Sequence, residues 1–359
     1  MKRFFLQYKF LHLWILITGG IAALFHLLRG IRPVMNFWVD RIGVPFTQSM
    51  AVAASLVPFS VAEALTLIFA LCIIYLLARE IRNMGKKRPM GHGIYRIFAG
   101  LLAIFLSIYS GISLLYGANF YADSFQERSG IHAQDAALED LYRVTVFFAQ
   151  RLNETAPLVQ RDDRGVFDVS IDQIFSESVN VFPNLEAQFP FLTHQDRPPK
   201  PLFISPIMRM TDYTGFFFPF TGEANINVLA PRSQIPVTVI HEFTHQRGVA
   251  SENEANFLAV LASVKSENPI FSYSAYLMGY SYLANALNRA APDLFRQIHA
   301  TLSHLVLADL ADIRAYHEQK NPVAVQVTNV LYDNFLRTYG EESGIRSYGE
   351  VVDLLIAYF

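Results

Sequence analysis

Val239-Ile-His-Glu-Phe-Thr-His-Gln-Arg-Gly248 is the stretch on which the reading of this 359-residue chain turns. His241 and His245 are four residues apart, so a helix places both imidazoles on one face, one turn apart. Glu242 sits one residue along, near enough to reach a water at a metal without occupying the ligand row. Ser233 suits an N-cap and Gly248 a C′ stop, so the local signals predict a helix over Gln234–Arg247. In this H-E-x-x-H arrangement two neutral imidazoles hold Zn²⁺ and the glutamate takes a proton from the attacking water. The competing reading is two solvated histidines on a helix surface.

A third ligand is expected from the next helix, which opens Ser251-Glu-Asn-Glu-Ala-Asn256. Ser251 and Glu254 have capping-box spacing, which gives Glu254 a structural task and leaves Glu252 free to turn towards the histidines. Glu252 is therefore the preferred ligand, with Glu254 as the alternative. Asn256, one turn after Glu252, is placed to support a ligand from behind. Two histidines and one carboxylate leave a coordination position open, as catalytic rather than structural zinc requires. The single cysteine, Cys72, excludes an intramolecular disulfide and a cysteine-based zinc cluster.

Around this pair the chain reads as mostly helical. Apolar residues recur at three- and four-residue spacing in Asp135–Leu152, Ser170–Ser178, Ser272–Arg289, Leu305–Gln319, Pro322–Tyr339 and Tyr348–Tyr358. Leu202–Ile207, Gly215–Phe220 and Ala224–Leu229 read as strands, the last alternating so that one face should be exposed. The expected fold is α+β, a mostly helical domain with a small sheet. The turn Thr221-Gly222-Glu223 and the strand through Asn225 are candidates to hold an extended peptide at a sheet edge. Tyr348 and Tyr332 are candidate donors to a developing oxyanion, with Tyr348 preferred.

The first third differs. Fifty-two per cent of the whole chain is hydrophobic and only 17 per cent charged, and the mean hydropathy is +0.25. Those figures, with a net charge of −2, argue against a disordered chain and give no basic surplus for nucleic acid. Three apolar runs, about 12–28, 61–78 and 97–116, approach the roughly 20 residues that cross a bilayer core. Ser60 and Glu63 have capping-box spacing, which puts Glu63 at the membrane interface. Met50–Phe59 reads as an interfacial segment or a buried lead-in. Arg79, Arg82, Lys86, Lys87, Arg88 and Arg96 cluster between the second and third runs, so that loop and the N-terminus are expected in the cytoplasm. Residues 1–118 then form a three-helix transmembrane region, and 119–359 an extracytoplasmic domain.

His241-Glu-x-x-His245 followed by Glu252-x-x-Ala255-Asn256 resembles the gluzincin plan, with Asn256 where aspartate is common. More closely, the chain resembles the bacterial membrane-protein family known as domain of unknown function 3810. The likeness takes in the apolar runs, Phe218-Pro-Phe-Thr-Gly-Glu-Ala-Asn-Ile-Asn227, the two motifs above, and Gly344-Ile-Arg-Ser-Tyr-Gly-Glu-Val-Val-Asp-Leu-Leu355. The resemblance implies a zincin-like zinc metallopeptidase of unspecified substrate. The expectation is a membrane-anchored endopeptidase with Zn²⁺ on His241, His245 and Glu252, and Glu242 as base. Its partners would be a peptide or protein substrate and the lipid bilayer, in an oligomeric state the sequence leaves open. The rival is a zinc-binding membrane receptor or sensor without turnover.

Overall fold

The computed structural model describes residues 7–84, 89–134, 136–340 and 350–359. Three apolar helices, Lys9–Leu28, Val61–Asn83 and Met90–Leu115, have 20, 23 and 26 residues. At 1.5 Å per residue each measures about 30 Å or more, enough to cross a hydrocarbon core, as a membrane protein requires. The first packs on the third through small buried side chains, Thr18 and Ala22 against Ala99, Ala103 and Ser110. Their polar groups pair across the contact: Ser110 Oγ donates to the Thr18 carbonyl at 2.9 Å, and Trp14 Nε1 to Ser107 Oγ at 2.8 Å. The second helix is almost wholly exposed.

That second helix is joined to the sheet by carboxylates that cap across the chain. Ser60 Oγ accepts from the Glu63 N–H at 3.1 Å, the expected N-cap. The Glu63 carboxylate turns elsewhere, accepting from the backbone N–H groups of Phe203 and Ile204 at 2.9 and 2.8 Å. In return Glu223 accepts from Val61 and Ala62 N–H at 3.0 and 2.8 Å, and Ser60 Oγ donates to Asn225 Oδ1 at 2.6 Å. Both partners thereby satisfy helix-start N–H groups that have no partner within their own helix.

Between the first two apolar helices lie short helices, Arg32–Trp38 and Val44–Ala54, joined by a π turn. Of the Met50–Phe59 lead-in, Ala51 and Ala54 are buried, whereas Leu56 and Phe59 are exposed. Gly222 has φ +66°, and a Cβ there would lie 2.0 Å from the Thr47 carbonyl oxygen. Only glycine allows this left-handed turn to press on that helix.

The sheet has strands β1 (Lys200–Pro201), β2 (Gly215–Phe218) and β3 (Glu223–Ile226) in the order β1-β3-β2. β1 runs parallel to β3. β2 pairs with it antiparallel, Gly215 opposite Ile226 and Phe218 opposite Glu223. Two strand expectations are corrected. Leu202–Ile207 is a turn leading into the helix Ser205–Thr211, started by Pro206 and by the carboxylate of Glu63 from outside the segment. β3 exposes neither face: it is central, and Ser60 and the start of the second apolar helix cover its polar side.

The remaining core is helical. Ile235–Gln246, Glu252–Lys265 and Pro269–Ala290 pack on one another and on Leu138–Thr155, burying Phe148, Phe243, Phe257 and Phe271. Each such ring contributes about 1.5–3 kcal/mol of transfer free energy. Gly279 lies directly beneath Phe148, where a Cβ would approach Cε1 to 2.3 Å. Asn321 caps Pro322–Thr338 as expected, accepting from Val323 and Ala324 N–H. The architecture is thus mostly helical with three apolar helices and a small sheet, as expected.

Candidate metal centre

The helix Ile235–Gln246 carries His241 and His245. Its N-cap is Gln234 rather than Ser233, with no side-chain cap, and Pro236 sits in its first turn. Ser233 Oγ is buried and finds no partner among the described residues. At the other end Gly248 takes φ +84°, and its N–H donates to the His245 carbonyl at 3.0 Å, the expected stop. Arg247 fixes this end. It donates to Asp196 with both terminal nitrogens at 2.8 and 2.7 Å and to Glu186 at 2.7 Å, and it stacks on the Phe182 ring.

The tight turn after Gly248 brings the next helix, Glu252–Lys265, back against the first. His241 Nε2 and His245 Nε2 are 3.1 Å apart. Glu252 places one carboxylate oxygen 3.2 Å from His241 Nε2 and the other 3.4 Å from His245 Nε2. Donors bound at about 2.0–2.1 Å to one tetrahedral centre lie about 3.3 Å apart, so this donor set fits a zinc-like cation. Its electrostatics agree. Burial would lower the His245 imidazole, but the adjacent Glu252 carboxylate outweighs it and pushes the group up to about 9. The imidazoles in turn hold Glu252 well below the usual carboxylate range despite its burial. The cluster favours positive charge at its centre.

Support for the ligands differs from the expectation. His245 Nδ1 donates to the Val249 carbonyl at 2.8 Å, so Nε2 is the ring nitrogen turned towards Glu252 and His241, where a cation would take the place of its proton. Asn256 lines the cavity instead, and His241 Nδ1 is buried without a partner among the described residues. The Ser251–Glu254 capping box does not form. Glu254 accepts from Phe125 and Gln126 N–H at 2.9 and 3.0 Å, so it caps a helix 129 residues away and does not face the imidazoles. Tyr332 donates its hydroxyl to the Glu252 oxygen that faces His245. Tyr348 lies outside the described residues.

Glu242 is buried beside β2. A Cβ on Gly215 would come within 2.9 Å of Glu242 Oε1, so the strand approaches because Gly215 has none. Burial raises the Glu242 carboxyl above its ordinary range, against the pull of both imidazoles. A cavity of about 570 Å³ opens over these groups. Its walls include Phe216 and Phe218 of β2, Tyr332 and Phe335 of the helix Pro322–Thr338, and Ile112 and Tyr116 at the end of the third apolar helix. Tyr116 was given no role by the sequence, yet its ring meets His245 edge-on at 5.8 Å between centroids. Nothing in the apolar run 97–116, which Tyr116 closes, signals that contact.

The proposed peptide edge is corrected as well. Thr221, Gly222, Glu223 and Asn225 are buried. Thr221 Oγ1 donates to Glu223 at 2.7 Å, and the Gly222 carbonyl accepts from Gln246 Nε2 at 2.6 Å. All four join the sheet to the apolar helices or the motif helix. The edge strand beside the cavity is β2.

No curated protein and no solved structure matches the chain. The family described as "Protein of unknown function (DUF3810)" matches residues 44–356, a span that holds two of the three apolar helices, the sheet and the whole cavity. The chain belongs to that family.

Proposed function

We propose that this protein is a membrane-anchored, zinc-dependent peptidase. The observation that carries the reading is the convergence of His241 Nε2, His245 Nε2 and the Glu252 carboxylate at 3.1–3.4 Å beside a buried, proton-seeking Glu242. A cation held by those three groups supplies Lewis acidity in the cavity. The chain's own groups do the rest. Glu242, with its affinity for a proton raised by burial, takes the proton of the attacking water and passes it to the leaving amine. Tyr332 and the Val249 carbonyl fix Glu252 and His245 in place.

β2 offers its outer edge to a substrate as an added strand. The Glu242 side chain beside Gly215 would then lie close to the backbone of that strand. The first turns of Lys9–Leu28 and Met90–Leu115 and the last turn of Val61–Asn83, with Arg79, Arg82 and Arg96, lie at the end of the bundle remote from the cavity, which meets the third helix at Ile112. We assign them to the cytoplasm and the cavity to the outside.

Glu242→Gln tests the mechanism in the purified, full-length protein. One zinc per chain should remain by elemental analysis, while peptide hydrolysis falls by about 10²–10⁴-fold. Unchanged cleavage by this variant overturns the proposal. One zinc per chain with no cleavage of any peptide by the parent protein would favour the sensor.

A further inference from the structure

Beyond residue 120, most of the exposed large apolar side chains fall on two neighbouring helical segments. The segment from Phe203 through the helix Ser205–Thr211 exposes Phe203, Ile204, Ile207 and Met210, a helical spacing. Phe203 is 92% exposed. The helix Pro322–Thr338 exposes Val323, Val327, Val330 and Leu331 at the i, i+4, i+7, i+8 positions of one face. The two are tied together by the Asn321 N–H, which donates to the Met210 carbonyl at 3.1 Å. An apolar surface of this kind on a domain is normally covered by something.

Its height relative to the bilayer is fixed at both ends. Glu63, in the first turn of the apolar helix Val61–Asn83, binds the N–H groups of Phe203 and Ile204. At the far end of Pro322–Thr338, Phe335 stacks on Tyr116, and Tyr339 meets Ser113 hydroxyl to hydroxyl at 3.0 Å in the last turn of Met90–Leu115. Both anchor points are terminal turns of helices about 35 Å or more in length, which must sit near the edge of a hydrocarbon core of about 30 Å. The helix Pro322–Thr338, tied at its start to Met210 of the segment that Glu63 anchors and at its end to Met90–Leu115, would then lie along the membrane surface.

We propose that this surface is bedded in the bilayer, as an amphipathic helix lies in the interface, and that the cavity therefore opens at the membrane boundary and takes polypeptide tethered to that same bilayer. The walls agree with an apolar guest arriving from that side. Phe335 and Tyr332 project from the other face of Pro322–Thr338, opposite Phe216 and Phe218, with Ile112 and Tyr116 closing the membrane end. The substrate class rests on the peptidase reading. The bedded surface does not.

Depth is measured on the full-length protein in phosphatidylcholine nanodiscs, with Cys72→Ala removing the one native thiol. A fluorophore on Val327→Cys or Ile207→Cys should be quenched by brominated lipid at least twofold more than one on Leu158→Cys, and less by aqueous iodide. Equal quenching at all three positions overturns the proposal. So does shielding from both quenchers accompanied by disulfide dimers of the unlabelled Val327→Cys protein under mild copper-phenanthroline oxidation, which would assign the surface to a second copy of the chain. For the substrate class, one library peptide is offered free or carrying a palmitoyl anchor on vesicles. Val327→Asp/Val330→Asp should raise KM at least fivefold for the anchored form while kcat/KM for the free form stays within twofold. Equal effects on both forms overturn the tethered-substrate assignment. Absence of all hydrolysis by the parent defeats the peptidase reading alone, and the quenching result still decides the surface.

Discussion

β3 carries Glu223 and Asn225 and buries all four of its residues, whereas β2, its hairpin partner, is Gly-Phe-Phe-Phe and lies half-buried along the cavity. The polar strand performs the structural work, holding the first turn of an apolar helix through Val61 and Ala62 N–H. The apolar strand stands beside the candidate metal ligands. Buried carboxylates that receive two backbone N–H groups are well satisfied, so polarity in β3 reflects where helix starts must be capped. An edge strand next to a cavity needs only a free backbone and side chains that suit its guest.

Two glycines sharpen that contrast most strongly. Gly222→Ala forces a Cβ to 2.0 Å from the Thr47 carbonyl oxygen at φ +66°. Backbone strain of about 1–2 kcal/mol for a left-handed residue and a further 1–3 kcal/mol for overlap predict a loss of about 3 kcal/mol. Thermal unfolding in detergent should show it. Gly215→Ala meets only the end of the Glu242 side chain at 2.9 Å and two neighbours at 3.1 Å, with no positive φ. Its stability should fall by less than about 1.5 kcal/mol while hydrolysis collapses, because Glu242 is displaced. If the two variants lose stability equally, the division of labour between the strands is wrong.

The next effect in size is on the caps. Glu223→Ala leaves the part-buried Val61 and the buried Ala62 N–H groups without an acceptor, at a cost of about 1–3 kcal/mol. Zinc content should not change, since β3 contributes no ligand. Loss of zinc in this variant would show that the joint between sheet and apolar helix also holds the metal centre in shape.

What could be read from the sequence separates along the same line. His241, Glu242 and His245 were legible because a helical spacing of four is a local signal, and Glu252 because the turn at Gly248 returns the chain at once. The three apolar helices, Ser60 as a cap, and Asn321-Pro322 were legible for the same reason. What escaped depends on partners far along the chain. Glu254 and Glu63 look like members of local capping boxes, yet their carboxylates serve backbone groups 129 and 140 residues away. Leu202–Ile207 has a strand-like composition, and only the arrival of Glu63 explains the helix that starts within it. Tyr332 was one candidate among 17 tyrosines, and its contact with Glu252 spans 80 residues. No periodicity encodes such a pairing.

The smallest expected effect lies where the membrane-facing helix hands over to β2. Asp212 takes φ +67°, a conformation that asparagine also tolerates, and accepts from His317 Nδ1 at 2.7 Å and Lys320 Nζ at 2.5 Å. Burial would raise its carboxyl, but hydrogen bonds from His317 and Lys320 outweigh that and hold it below the ordinary range. A carboxyl lowered on folding contributes stability above its unfolded value near 3.9 and loses it as pH falls through the folded value. Asp212→Asn keeps the backbone and removes the charge, so it should cost about 1 kcal/mol at neutral pH, as partly exposed ion pairs do. Below about pH 4 the unfolding curves of parent and variant should converge, since protonation removes the same charge from the parent. A difference that persists into acid would mean that Asp212 acts through the shape of the turn, and that β2 is positioned by its backbone rather than by the ion pairs that precede it.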